Sequence, residues 1–483
     1  MDKLPDEVKD VVNLYVGFVP KDKKELKEAL ELYFTKKEEA IKLYGNISKW
    51  DTILITDMSE LFYQNYEFNE NINNWNVSNV KDMSYMFSNA HSFNQPLDSW
   101  DVSNVVTMEG MFWDSEVFNQ DLNNWNVSKV KNMEYMFGSA KSYNQPLNNW
   151  DVSNVVTMEA MFYNSKVFNQ PLNNWNVSKV KFMQEMFYDC KSFNQSLDNW
   201  NVSKVTNMRE MFHGTILFNH PLDSWDVSNV KNMESMFGYT DNFNQELNNW
   251  NVSKVKNMSR MFNYSELFNK SLNNWDVSNV ENMEYMFYYC VNFNSDISKW
   301  NTKKVKNMGS MFEGATHFNQ NIGNWNTSDV RDMQNMFEKA ESFNKDINNW
   351  DVSKVRIMQT MFSGATTFNQ SLNNWNISNV KDLSYMFDHA YRFNGNIENW
   401  DTSNVKDMSC MFSDAYDFNQ NIGNWNTKKV IHMNSMFRKA QSFNQNINNW
   451  NTGNVTNMCQ MFYRATNYNQ PLDKWDLSKV KDK

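Results

Sequence analysis

Trp150-Asp-Val-Ser-Asn-Val-Val-Thr-Met-Glu-Ala-Met-Phe-Tyr-Asn-Ser-Lys-Val-Phe-Asn-Gln-Pro-Leu-Asn-Asn-Trp175 is the unit from which nearly all of this 483-residue chain is built. A Trp stands at every twenty-fifth residue from Trp50 to Trp475, 18 in all with no insertion between them, and only Trp113 lies outside the series. Self-similarity at a fixed period of this length marks a stacked-repeat architecture, because one such unit cannot bury its apolar side chains alone.

Counted from the Trp, position eight is Met in 16 of 17 repeats (Leu383 is the exception), and position eleven is Met in 16 (Leu61). Position twelve is Phe in all 17, position fifteen is small except at Asn65, and position eighteen is always Phe or Tyr. Steps of 3, 1, 3 and 3 place these side chains on one stripe of a helix about two turns long. Position seven is Asp, Asn or Thr in 14 repeats, where an N-cap belongs, and Asn207 with Glu210 spells a capping box. The other half of the repeat has Leu or Ile at position twenty-two, then the Trp, then Val or Thr two residues on and Val or Ile at position five. That alternation predicts a short strand around the Trp, entered through the prolines Pro96, Pro146, Pro171, Pro221 and Pro471 at position twenty-one. The expected fold is therefore an α/β solenoid of about 17 coils of 25 residues, each a short strand plus a two-turn helix.

Position nineteen is Asn in every repeat, Asn69 through Asn469. A ladder of these amides, bonded to the backbone of their own turn and to the next coil, would satisfy polar groups that a tight coil buries. The methionines, all but Met1 at the two repeat positions, read as core filling rather than as an exposed binding surface.

Residues 1–47 lack the repeat and read as helices: one from Pro5 through Val8, Val11, Val12, Leu14 and Tyr15, one from Asp22 with Leu26, Ala29, Leu30 and Leu32, and one from Thr35 to a stop at Gly45. The expected domains are thus an N-terminal helical cap, 1–47, and a repeat solenoid, 48–483.

A net charge of −10 argues against a nucleic-acid partner, since phosphate binding needs a clustered basic face. Lysines at position four (Lys129, Lys179, Lys204, Lys254, Lys304, Lys354) read as solubility and edge protection. The first 20 residues carry no apolar signal segment, and no run approaches a membrane span. The four cysteines do not make a disulfide scaffold and fit a reduced compartment. The six His fall at six different repeat positions, so no convergent metal cluster is expected, and no phosphate loop, nucleophile elbow or paired catalytic carboxylates are marked. The expectation is a protein with no enzymatic activity, no cofactor and no metal.

Positions ten, thirteen, fourteen and seventeen point away from the Met-Phe stripe. The thirteenth and fourteenth collect Trp113, Tyr163, Tyr188, Tyr239, Tyr264, Tyr288 and Tyr289, whereas later coils place charged residues there, such as Glu313, Lys339, Asp414 and Arg438. These aromatics are a candidate protein-binding face, with drift among duplicated coils as the competing explanation.

The unit Trp-Asp-Val-Ser-Asn-Val-x-x-Met-x-x-Met-Phe-x-x-Ala-x-x-Phe-Asn-Gln-x-Leu resembles the BspA-like bacterial surface protein repeat, distant kin of leucine-rich repeats, from about Ile47 to Lys483. The lead-in from Glu38 to Trp50 resembles that of such proteins, including those of giant DNA viruses. The resemblance implies a leucine-rich-repeat-like coil and, for bacterial and protozoan members, adhesion or host-protein binding. Without a surface-anchoring start, an intracellular or virion-associated interaction scaffold for a host or viral protein partner leads. A surface adhesin exported by a non-classical route follows. The third possibility is an F-box-like ubiquitin-ligase adaptor, suggested by Leu4-Pro5-Asp6-Glu7. The oligomeric state is not encoded in these features.

Overall fold

The computed structural model describes residues 17–481, so the helix expected from Pro5 to Tyr15 and the F-box-like start lie outside the described residues. The chain forms two compact units, which divide between Asn229 and Val230. Among the described residues the α-helices are α1 (Lys23–Thr35) and α2 (Lys37–Tyr44), followed by a 3-10 turn at Ile47–Lys49. Asp22 caps α1 by accepting from Glu25 N–H at 2.9 Å, and Gly45, with φ of 73°, ends α2 as its sequence predicts. Thr35 does not cap α2; its hydroxyl donates back to the Glu31 carbonyl at 2.8 Å. Phe34 of α1 lies 6.3 Å from Phe62 and 5.8 Å from Phe68, over the apolar end of the first coil. Lys23 bonds Asp57 at 2.7 Å and Lys37 pairs with Glu70, so the helices are pinned to that coil by charge as well.

The repeats stack as coils within each unit, but the coil is not strand plus helix. In the Met-Met-Phe segment, Met161 N–H donates to Met158, Tyr163 to Ala160, Ser165 to Phe162 and Phe168 to Ser165, a succession of three-residue turns. The N–H groups between them leave the coil altogether. Met158, Ala160, Phe162 and Asn164 donate to the carbonyls of Phe182, Gln184, Met186 and Tyr188 in the next coil, at 2.6–3.0 Å. Turning alternate amides outward requires left-handed backbone, and positions ten and fourteen have positive φ in every coil, as at Ala160 (50°) and Asn164 (55°). An α-helix cannot contain such residues. The expected two-turn helix is therefore corrected: three-residue turns reproduce the steps of 3, 1, 3 and 3, and ten residues are too few to separate that period from 3.6.

The expected strand is also misplaced. Trp175 N–H closes a turn on Leu172 at 3.0 Å and Val180 closes another on Val177 at 2.9 Å, so the Trp segment bends rather than extends. Parallel pairing occurs instead at position seven, as single bridges such as Thr157 with Phe182 and Asn282 with Asn307. Position seven does capture the N–H two residues on, as Asp82 does from Ser84 at 2.8 Å, but the bond closes a turn and starts no helix. Asn207 likewise accepts from Arg209, while Glu210 is left-handed and pairs with Arg209 instead of completing a capping box.

Ladders of identical side chains make the core. Trp150 and Trp175 stack at 6.3 Å and 2°, Trp250 and Trp275 at 6.5 Å and 1°. Beyond Trp50, whose indole N–H donates to Gly45, the ladder indoles donate to the position-twenty-two carbonyl 28 residues earlier, as Trp175 does to Leu147 at 2.9 Å. Phe162 stacks on Phe168 of its own coil at 4.0 Å and on Phe137 and Phe187 of its neighbours at 5.8 Å each. The small residue at position fifteen leaves room for these rings, and where it carries a donor it uses it: Thr215 Oγ1 donates to the Phe187 carbonyl at 2.8 Å. The Asn ladder forms with one change from expectation. Asn144 Oδ1 accepts from Asn169 N–H at 2.9 Å and from the Gln170 amide at 3.1 Å, so it serves the next coil and not its own turn. Position-four lysines join a second ladder, Lys179 Nζ reaching Asn154 Oδ1 at 2.6 Å and Lys304 reaching Asn279 at 2.5 Å.

Among the left-handed positions Thr360, at φ of 60°, is β-branched and therefore the most strained type. Thr360→Asn is expected to stabilise the second unit by about 1 kcal/mol, read as a higher urea midpoint at unchanged slope.

Candidate protein-binding face

Positions nine, ten, thirteen and fourteen sit on the turns whose alternate amides reach the next coil, so their side chains form columns one coil apart. In the first unit Trp113 and Tyr163 are parallel at 6.2 Å and 9°, although two coils separate them. Gly138 lies between; a Cβ there would be 2.9 Å from the Trp113 ring, so only glycine lets the indole lie across that coil. Tyr163 then stacks on Tyr188 at 4.8 Å, and Tyr188 on His213 at 4.7 Å. In the second unit Tyr239 stacks on Tyr264 at 4.6 Å and Tyr264 on Tyr289 at 5.3 Å. Tyr288 meets both Tyr264 and Tyr289 edge-on. Tyr239 is 42% exposed and the other six are half-buried. The rings spend their faces on one another and present edges and hydroxyls.

The face drawn from positions thirteen and fourteen leaves out the rings at position ten, Tyr85, Tyr135, Tyr285 and Tyr385, although a helix would also set position ten beside thirteen. The usable signal is a glycine 25 residues after an aromatic: Tyr85 and Gly110, Trp113 and Gly138, Tyr289 and Gly314. Carboxylates run beside these rings. Glu109 accepts from Tyr85 Oη at 2.6 Å and Asn132 at 3.0 Å, and Glu134 accepts from Thr157 at 2.8 Å. Burial pushes the Glu159 carboxyl above its ordinary range, and Glu134 and Glu185 add to the push. In the first unit these four positions hold eight carboxylates and one cation, Arg209, which pairs with Glu185 and Glu210. The second unit intersperses Arg260, Lys339, Arg438, Lys439 and Arg464.

Histidine and acid do converge, contrary to the expectation from repeat positions. His91 Nε2 lies 3.4 Å from Asp114 with Glu116 beside it, and His389 reaches Asp388 at 2.9 Å and Asp414 at 3.9 Å. A side chain at one position meets nearby positions of the next coil, which comparing positions alone does not capture. Lys141 already pairs with Glu116, and Arg438 and Lys439 bond buried Asp414 at 2.7 and 2.8 Å, so these groups read as ion-pair clusters. Burial pushes the Asp414 carboxyl up, but Lys439, His389 and Arg438 together hold it below its ordinary range. Among the described residues no helix is long and apolar enough to cross a membrane.

The repeat has a counterpart among protein families. The family described as "Mycoplasma protein of unknown function, DUF285" matches residues 28–149, 122–224, 192–300, 290–400 and 381–483, which together run from within α1 through the last repeat. The chain belongs to the DUF285 family. No curated protein matches the sequence. Among solved structures, a leucine-rich repeat protein from Bacteroides ovatus is similar over 87% of this chain and 88% of its own, at 10% identity and a TM-score of 0.33. The functional domain of InlJ from Listeria monocytogenes is 10% identical over 84% of this chain and 69% of its own, with a TM-score of 0.20. TLR13, in a complex with ssRNA13, is 7% identical over 84% and 76%, with a TM-score of 0.17. DUF285 repeats thus tile the chain, and in this member the coil is built from turns.

Proposed function

We propose that this protein is a non-enzymatic interaction scaffold, intracellular or virion-associated, that binds a host or viral protein through the aromatic and acidic face of its repeats. The N-terminal segment, residues 1–47, serves in this proposal as a cap that covers the apolar end of the first coil. The observation that carries it is the ladder of Trp113, Tyr163 and Tyr188, whose rings are held by one another on a backbone bonded to both neighbouring coils. Such side chains have little rotamer freedom left to lose on binding, and Trp and Tyr are the residue types that dominate interface energetics. A catalytic role would need polar groups converging on a reacting atom, and the carboxylates of the face run in a column instead.

The test is capture from cell lysate with the full chain and with a Trp113→Ala, Tyr163→Ala, Tyr188→Ala triple variant whose fold is checked by circular dichroism. The expected result is a protein held by the first and weakened at least about tenfold by the second, as removal of a hot spot requires. Equal capture by both chains sinks the face. Ubiquitin-ligase subunits among the captured proteins would favour an adaptor role for the F-box-like start at Leu4-Pro5-Asp6-Glu7, and binding to intact cells alone would favour an adhesin.

A further inference from the structure

Tyr63 and Trp113 occupy position thirteen two coils apart, and the coil between them carries Ser88 there, so one rung of the ring column is missing. Coils spaced about 4.8 Å apart leave about 10 Å between the two positions, room for one planar group with a ring on either side. Glycines widen the gap. Tyr85 lies over Gly110 and Trp113 over Gly138, where a Cβ would come within 2.4 and 2.9 Å of the rings, so both rings lean toward the following coil. The result is a groove of about 420 Å³ lined by Glu60, Tyr63, Tyr85, Asn89, Trp113 and Tyr135, with Ser88 buried beneath them.

Its charge is one-sided. Glu60 lines the groove, and Glu109 stands behind Tyr85, whose hydroxyl it holds. Among the described residues no Lys or Arg pairs with Glu60, Glu109 or Glu134. The second unit fills the same kind of gap from within. There Gly314 separates Tyr289 from Lys339, and the Lys339 ammonium lies 5.9 Å from the Tyr289 ring centre and 3.2 Å from its hydroxyl. Arg260 likewise places its guanidinium 4.8 Å from the ring of Tyr285, one coil on. The groove has the rings and the Glu60 carboxylate without a paired cation.

We propose that the groove between Tyr63 and Trp113 takes an arginine side chain from a basic segment of the protein partner, its guanidinium stacked on the rings and paired with Glu60. A guanidinium fits better than an ammonium because it is planar, stacks on aromatic faces and is more weakly hydrated. This rests on the reading of the face as protein-binding and narrows it to a partner of stated charge and shape.

The test is calorimetric titration of the full chain with short acetylated and amidated Gly-Ser peptides bearing arginines, and with otherwise identical lysine and citrulline peptides. The arginine peptide is expected to bind at least about fivefold tighter than either, the size of an accessible cation–π and ion-pair contact. Ser88→Tyr supplies the missing rung with the residue that Tyr63 and Tyr163 already place at position thirteen. It is expected to abolish the preference while circular dichroism shows the repeat fold retained, and Trp113→Ala is expected to do the same. Equal affinity for the three peptides, no binding of any, or a preference that survives Ser88→Tyr overturns the assignment. Those results leave the broader face to be judged by the capture comparison, in which loss of a partner from the triple variant would stand independently.

Discussion

Trp175→Ala should destabilise the first unit by about 3–5 kcal/mol, whereas Trp475→Ala should cost less than about 1 kcal/mol. Trp175 is 2% exposed, stacked between Trp150 and Trp200 at 6.3 and 6.4 Å, and packed against Phe162. Its loss leaves a cavity that ladders on both sides prevent from collapsing, since every neighbouring ring is held by the next coil. Trp475 instead lines an open apolar hollow of about 500 Å³ beside Met458, Met461 and Phe462, is only half-buried, and has an indole of the series on one side alone. Trp175→Phe separates packing from hydrogen bonding. The Leu147 carbonyl that takes the indole N–H also accepts the Trp150 backbone N–H at 3.2 Å, so it is not orphaned, and the cost should fall to about 1–2 kcal/mol. Urea unfolding followed by circular dichroism measures all three, and similar losses at Trp175 and Trp475 would sink the account. Because the core ladders run from each coil to its immediate neighbours, Trp175→Ala should also divide the unfolding curve into steps.

The period, the burial of the Trp, Met and Phe positions, the Asn ladder and the helices α1 and α2 were all legible in the residues. They depend on one-dimensional facts: which side chain recurs, and what a recurring apolar or amide group must do. The coil conformation was not legible. Met158, Met161, Phe162, Ser165 and Phe168 face inward whether the backbone turns by 3.6 residues or closes three-residue turns. What decides between them is the left-handed backbone at Ala160 and Asn164, residue types that do not announce it as glycine does. Only Gly110, Gly214, Gly314 and Gly364 mark those positions in sequence. The face was legible in part. Trp113, Tyr163 and Tyr188 come together as a ladder, but the carboxylate column and the gap at Ser88 appear only once residues 25 and 50 apart are read as neighbours. His91 with Asp114 and His389 with Asp414 were missed for the same reason.

Acid should loosen that ladder through His213. Its ring stacks on Tyr188 at 4.7 Å, and burial pushes its pKa down to about 4, against a smaller opposing pull from Asp189. In the unfolded chain the same imidazole titrates near about 6.5. Above that value both states are neutral and the stability is fully present. As pH falls from about 6.5 to about 4, the unfolded chain takes up a proton that the folded unit refuses, so stability drains away at a rate set by that difference in bound protons. The full difference is worth up to about 3 kcal/mol by pH 4. His213→Tyr keeps a ring in the stack, matches Tyr163 and Tyr188 at the same position and does not titrate in this window. Urea unfolding of both chains near about pH 7 and again near about pH 4.5 isolates the histidine from the carboxylates, which titrate in both. The native chain should lose about 2 kcal/mol more than His213→Tyr between those conditions, while a constant difference would mean that the imidazole is already free to protonate in the fold. Protonation in place would set a cation against Tyr188 and beside Asp189, on the acidic side of the protein. A partner's basic segment would then meet a face that has lost part of its negative charge and part of its order together.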